Sequence, residues 1–169
     1  MKAAILTISD KAHRGEREDK SGPALAAWLK ERAVEIVSAR TVPDEQEAIA
    51  AQLVAWTDSG ICDLILTTGG TGVAPRDITP EATRRVLERE IPGMGEAMRA
   101  ASLGKTPYAI LSRAIAGMRG RVLIVNLPGS PGGAVENLAA IWAAVPHAVG
   151  KIQGDPSDCA PASRAQHSV

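Results

Sequence analysis

The sequence contains no phenylalanine and a single tyrosine, so it offers no row of rings on which nucleic-acid bases could stack. Its three tryptophans, Trp28, Trp56 and Trp142, each fall on the apolar stripe of an expected helix and read as core or subunit-interface fillers. Cysteine is almost absent. Cys62 precedes an apolar run and Cys159 lies in a polar tail, which excludes a disulfide framework and a metal knuckle and predicts a reducing, cytoplasmic setting. His13, His147 and His167 share no metal-ligand spacing. An excess of either charge is missing too: 19 basic and 19 acidic residues give no global field to recruit nucleic acid or anionic lipid. Any anion the chain binds must therefore be met locally. Long hydrophobic runs are also lacking. The opening "MKAAILTISD" turns polar at Ser9-Asp10, too early for a signal peptide, and nothing elsewhere approaches a membrane span.

What is present is alternation. Short apolar runs at 3–8, 34–42, 62–67 and 121–126 read as buried strands. Between them lie amphipathic helices. Ser21-Gly22 leads into Pro23, with Leu25, Trp28 and Leu29 on one face. Asp44 is the expected N-cap of a second helix, with Glu47 completing a capping box and Ile49, Leu53 and Trp56 as its buried stripe. Thr79-Pro80-Glu81 opens a third helix by the same logic, 93–104 reads as a fourth, and "SPGGAVENLAAIWAAVPHAVGKIQ" as one long helix that Pro146 kinks. The pattern predicts a three-layer α/β/α sandwich with a mainly parallel sheet, formed by residues 1–154 as one domain, with a loose tail over 155–169.

Two expected strands end in glycine-rich loops that run into helices: "TTGGTG" over 67–72 and "NLPGSPGG" over 126–133. Lacking a Cβ, glycine lets several backbone N–H groups turn toward one anion, and the following helix adds its dipole. Each loop alone is equally well explained as a tight turn. Two at the same edge of one sheet, where parallel sheets bind ligands, point to a ligand or ligand pair with more than one phosphate. A Walker loop is excluded because Val73 and Ala74 follow Gly72, and the dinucleotide fingerprint lacks its third glycine and meets Pro75 where a helix should start.

The segments "TTGGTGVAPRDITPEAT" and "NLPGSPGGAVENL", with "ILTISD", "DKSGPAL" and "VPDEQEAI", resemble the MogA-type molybdopterin adenylyltransferases, the family of the plant Cnx and gephyrin G domains. The resemblance runs from about Lys2 to Gly154. It implies the MogA/MoaB-like fold and an Mg²⁺-dependent reaction in which ATP and molybdopterin, as substrates, give adenylylated molybdopterin and pyrophosphate. It also implies a homotrimer, and leaves open a contact with a molybdate-inserting enzyme. Neither nucleic acid nor membrane is expected as a partner.

Carried over residue by residue, the resemblance makes Asp77 and Asp44 the catalytic and Mg²⁺-binding carboxylates. On sequence alone Asp77 also reads as a turn residue and Asp44 as a helix cap. Arg76 is expected either to neutralise a phosphate or to pair with the neighbouring carboxylate. Thr68, Gly69, Gly70, Thr71 and Gly72 in the first loop, with Asn126, Pro128, Gly129, Ser130 and Gly132 in the second, are expected to bind substrate and nucleotide. Ser112 and Arg113, in "AILSRAIAG", match a segment on the pterin side of the pocket, although spacing alone makes them loop or edge-strand residues. Ser9 and Asp10 either line the adenylate region or, in the case of Asp10, merely end the first strand. The alternative function is a MoaB-like protein that binds molybdopterin without adenylating it. A gephyrin-like scaffold is disfavoured by the want of a second domain or long linker.

Overall fold

In the computed structural model, which describes residues 1–157, the order is β1 (Lys2–Ile8), α1 (Asp10–His13), α2 (Ser21–Lys30), β2 (Glu35–Val42), α3 (Gln46–Ser59), β3 (Leu64–Thr68) and α4 (Thr79–Val86), then β4 (Arg89–Glu90), α5 (Pro92–Leu103), a 3-10 turn (Pro107–Leu111), β5 (Ala116–Arg119), β6 (Val122–Leu127), α6 (Pro131–Ile141) and α7 (Val145–Ile152). The strands form one sheet in the order β2-β1-β3-β6-β5-β4. β2, β1, β3 and β6 are parallel, and β5 and β4 extend the sheet as antiparallel strands.

Both faces of β1, β3 and β6 are covered, which is why they read as apolar runs, whereas β2, at the sheet edge and reading EIVSARTV, is only partly buried. Alternate residues go to opposite sides. Ala3, Ile5, Leu64, Leu66, Leu123 and Val125 pack on one face under α2, α5, α6 and α7. Ala4, Leu6, Ile8, Ile65 and Ile124 pack on the other under α3 and α4. This is the expected three-layer sandwich with a mainly parallel sheet. Chain order reverses between β1 and β3, since β1 continues outward to β2 while β3 leads to β6. The carboxyl ends of those two strands therefore bound the crevice at which open parallel sheets bind ligands. Trp28 and Trp142 meet edge to face at 5.0 Å, and Trp56 is buried under α3, so the tryptophans pack with the core. No helix among the described residues is long and apolar enough to cross a membrane. Cys159 and His167, and all of the expected tail beyond Ser157, lie outside the described residues.

Two capping expectations and one helix length are corrected. Asp44 does not cap α3: the helix starts at Gln46 after Glu45, which makes no side-chain cap, and Glu47 pairs with Arg85 at 2.5 Å instead of closing a box. Thr79 is the first residue of α4, not its cap, because its hydroxyl is taken by the first glycine loop and donates to the Gly69 carbonyl at 2.9 Å. The expected long C-terminal helix is two helices. Pro146 has no N–H and its ring crowds the carbonyl four residues back, at Trp142, so the chain breaks after Ile141 and restarts at Val145.

The start of α2 is tied by a residue that no capping pattern marked. Asp19 Oδ1 accepts from the N–H groups of Ser21 and Gly22 at 2.9 and 3.1 Å, while Oδ2 accepts from the Thr7 hydroxyl at 2.6 Å. One carboxylate thus fixes α2 to the end of β1. Asp19→Ala is expected to lower the unfolding free energy by about 1–2 kcal/mol and Asp19→Asn by much less, as read from urea midpoints. Equal losses would show that the charge, not the cap, matters.

Candidate functional site

β3 and β6 are paired so that Thr68 faces Leu127, which brings the two glycine loops out of the sheet side by side. The Gly69 N–H donates to the Leu127 carbonyl at 3.2 Å, and the Thr68 hydroxyl donates to the Pro128 carbonyl at 2.7 Å. Gly69 has φ +106°, and a Cβ there would collide with the Ile8 carbonyl. Gly70 has φ +63°, with the Thr79 hydroxyl occupying the place of its Cβ. A Cβ on Gly72 would stand 2.8 Å from Asp77 Oδ2. The first-loop glycines therefore admit the chain's own backbone and side chains.

A cavity lies on either side of the second loop. The larger, about 280 Å³, is bounded by Thr71, Gly72, Ser112, Pro128 and Ser130 together with α5 and α6. The smaller, about 80 Å³, is bounded by Ser9, Thr68, Gly69 and Gly129 and by the loop before α2. Ser9 and Ser130 also cap α1 and α6, accepting from Ala12 and Gly133 at 3.2 and 3.3 Å. Gly132 opens onto free space.

Beside the first loop Asp10, Asp44 and Glu45 lie near the Arg76 guanidinium, and Asp77 lies near Asp44. Asp10 and Asp44 exchange bonds, each backbone N–H donating to the other's carboxylate, at 2.7 and 3.0 Å. Arg76 grips Asp10 with both prongs, at 2.6 and 2.8 Å, so its partner is a residue far away in sequence and not the adjacent Asp77. Ala74-Pro75-Arg76-Asp77 is a turn with proline at its second position, in which the Asp77 N–H donates to the Ala74 carbonyl at 2.9 Å. Asp77 Oδ2 accepts from the Ala74 N–H at 2.8 Å. Asp77 is thus a turn residue, as one reading had it, yet its other oxygen and that of Asp44 have no hydrogen-bond partner among the described residues.

These contacts set the charges. The Arg76 bond, opposed by slight burial, holds the Asp10 carboxyl below its ordinary value. Burial pushes Asp44 up, and the nearby negative charges of Asp10 and Asp77 add to the rise against the pull of Arg76. Among the described residues, no three His, Cys, Asp or Glu side chains are grouped so as to hold a metal ion unaided.

Two expected binding residues are placed differently. Asn126 is fully buried and donates to the hydroxyls of Thr67 and Thr83, both at 2.9 Å, so it ties β6 to β3 and α4 and lines neither cavity. Arg113, whose side chain is 37% exposed, commits its guanidinium to the Gly72 and Asp77 carbonyls and to Glu81, bordering a further hollow with Arg84 and Arg99 and neither of the two cavities above. Conversely, no sequence pattern singled out Arg99. It lines the larger cavity with two backbone carbonyls, of Ser112 and Ala114, as its hydrogen-bond acceptors and, among the described residues, no carboxylate partner. Lys105, on the same wall, is paired with Glu136 at 2.7 Å. Nothing in a helix's periodicity says which of its polar residues will face a cavity.

A family described as "Probable molybdopterin binding domain" matches residues 4–147. The chain is 45% identical over 153 residues to a molybdopterin adenylyltransferase of Helicobacter pylori J99, spanning 89% of this chain and 87% of that one. Among solved structures it is similar to the molybdopterin biosynthesis enzyme MoaB of Thermus thermophilus, at TM-score 0.86 and 51% identity over 93% of this chain and 99% of that one. It is also similar to a MogA structure, at TM-score 0.85 and 39% identity, with 90% and 99% covered.

The glycine geometry separates two kinds of position. Gly69→Ala is expected to unfold the protein or lower its melting temperature by roughly 10 °C or more, because it combines positive φ with a backbone collision. Gly132→Ala, in open space in the first turn of α6, is expected to keep or raise the melting temperature, with a stability gain of up to about 1 kcal/mol. Thermal melts of both variants check this, and a tolerated alanine at Gly69 would contradict it.

Proposed function

Because the chain belongs to the molybdopterin-binding family that includes the molybdopterin adenylyltransferases, we propose that it transfers the adenylyl group of ATP to molybdopterin, releasing pyrophosphate. The observation that carries this reading is the group of Asp10, Asp44, Asp77 and Arg76 beside a glycine loop that two cavities share. Two anionic reactants need separate seats with a common wall, and the chemistry needs charge of both signs where their phosphates meet.

In this reading an oxygen of the pterin's terminal phosphate attacks the α-phosphorus of ATP, a new P–O bond forms, and the bond to the β-phosphate breaks. The donor set suits Mg²⁺. Asp44 and Asp77 are hard oxygen ligands, each with one oxygen uncommitted, and Mg²⁺ is commonly held by one or two carboxylates completed by water and substrate phosphates. When bound, the ion would neutralise charge on the phosphates. The chain's own residues do the rest. More carboxylates than guanidinium groups leave local negative charge for a cation to offset, and Arg76 keeps Asp10 ionised. Ser130 borders the larger cavity and Gly129 the smaller, where their backbone N–H groups at the start of α6 would serve as anion donors. Arg99, with no carboxylate partner among the described residues, supplies positive charge to the larger cavity. The domain limits of 1–154, the cytoplasmic setting and the homotrimer belong to the same proposal. The exposed Leu103, Tyr108, Ile110 and Leu111 offer apolar surface for subunit contact.

The 51% identity to a MoaB structure favours one second reading, binding of molybdopterin without adenylation. Incubation with ATP, Mg²⁺ and molybdopterin distinguishes them: adenylylated pterin supports the transferase, and pterin binding without product supports the alternative. Within the transferase, Asp77→Asn is expected to fold and bind molybdopterin normally yet lose at least about tenfold in single-turnover adenylyl transfer, or ~1.4 kcal/mol. Wild-type rates would leave Asp77 a turn residue alone.

The pH dependence follows from the shifted carboxyls. Burial raises the Asp44 carboxyl above its ordinary value, so its protonation contributes to the acid limb of kcat/KM. Arg76 lowers both Asp10 and Asp44. Removing its charge raises both, so each takes up its proton at higher pH, and the acid limb of Arg76→Gln should move upward. A pH–rate profile unchanged in Arg76→Gln would remove Asp44 and Asp10 from the ionisations that control the rate.

A further inference from the structure

We propose that Arg113 is a positioning residue that holds Asp77 in place and does not bind substrate, an inference that rests on the transferase reading. The loop Gly72–Asp77 is exposed over residues 73–76 and leaves the protein between the larger cavity and α4. Its own turn closes only Ala74 to Asp77. Both of its ends are gripped by one guanidinium: Arg113 Nε donates to the Gly72 carbonyl at 2.6 Å, and Nη2 donates to the Asp77 carbonyl. The Arg113 backbone N–H donates to the Thr71 carbonyl at 2.8 Å, just before the loop. Glu81, one turn into α4, accepts from Nη1 and so anchors the guanidinium to a rigid element.

The charge balance agrees. Burial alone would raise the Glu81 carboxyl, but the Arg113 bond and charge bring it below its ordinary value, as an ion pair kept intact in the folded protein requires. Arg113 does not border the cavity beside the second loop, although its neighbour Ser112 does; it borders a separate hollow between α4 and α5, where each of its three guanidinium nitrogens is already committed to the loop carbonyls or to Glu81. A planar fork that bridges two carbonyls cannot be replaced by a single ammonium. The clasp therefore couples the cavity wall at Ser112 to the carboxylate at Asp77, and pterin contact at one can be felt at the other.

The test compares wild type with Arg113→Lys. Hydrogen exchange without any ligand reads the loop directly, because the Ala74 N–H is held by the Asp77 carboxylate. Arg113→Lys is expected to speed exchange at Ala74 by at least about tenfold, with the protection of β3 and β6 retained. In adenylyl transfer it is expected to lower kcat by at least about tenfold while KM for molybdopterin stays within about twofold. In an Asp77→Asn background the same change should cost less than about threefold, because it acts through a carboxylate already removed. A raised KM at constant kcat, unchanged Ala74 exchange, or full multiplication of the two losses would overturn the proposal. If Arg113→Lys does not fold, Glu81→Gln serves instead; it keeps both carbonyl bonds but loosens their anchor, and must move Ala74 exchange in the same direction. If wild type forms no product, the transferase reading fails, and the exchange comparison still decides whether Arg113 holds the loop.

Discussion

The site depends on one close approach of backbone to backbone, at Gly69. There the end of β3 passes against the Ile8 carbonyl at the end of β1, donates its N–H to the Leu127 carbonyl at the end of β6, and lies under Gly129, whose Cβ would be 3.2 Å from the Gly69 Cα. Three parallel strands can converge in this way only if the residue between them has no side chain and can take positive φ. Everything that meets at the site is hung from that convergence. Ser9-Asp10 follows β1, the 70–77 loop follows β3, and Pro128–Ser130 follows β6.

Around this contact, polar side chains do structural and chemical work together. Asp44, Asp77, Ser9 and Ser130 each commit a side-chain oxygen to a backbone N–H nearby. That arrangement suits a site for phosphates. A carboxylate held by one oxygen is pre-organised, and the other oxygen is left for a ligand without further loss of side-chain freedom. The reciprocal Asp10–Asp44 bonds and the two-pronged Arg76 contact lock a like-charged pair that would otherwise repel. Asn126 shows the other outcome. Its position in a glycine-rich motif suggests ligand contact, but the strand's pleat points it inward, where its amide joins two threonine hydroxyls.

The fold and the adjacency of the two glycine loops were legible in the chain because both follow from short-range patterns. Apolar runs such as 62–67 mark strands covered on both faces, and the spacing of Leu25, Trp28 and Leu29 or of Ile49, Leu53 and Trp56 marks helix faces. Glycine and proline mark the loops between them. The two capping errors share a cause. Asp44 and Thr79 have the sequence of helix caps, but each had a competing partner more than five residues away, the Asp10 N–H and the Gly69 carbonyl. Capping rules count only neighbours, and a distant backbone group brought close by the sheet outcompetes them.

By itself, then, the sequence determined the alternation of elements, the two glycine loops and the carboxylates at the strand ends, because these are written in periodicity and in residues with unusual backbone freedom. Only the tertiary structure decided what each polar side chain holds: Arg76 on Asp10, Arg113 on the 72–77 loop and Glu81, Asp19 on Thr7, and Arg99 facing a cavity. Those partners are 12 to 66 residues apart where they are paired. Hydrogen bonds and ion pairs act over a few ångströms of space, and which groups come within that range is set by how the strands order themselves in the sheet.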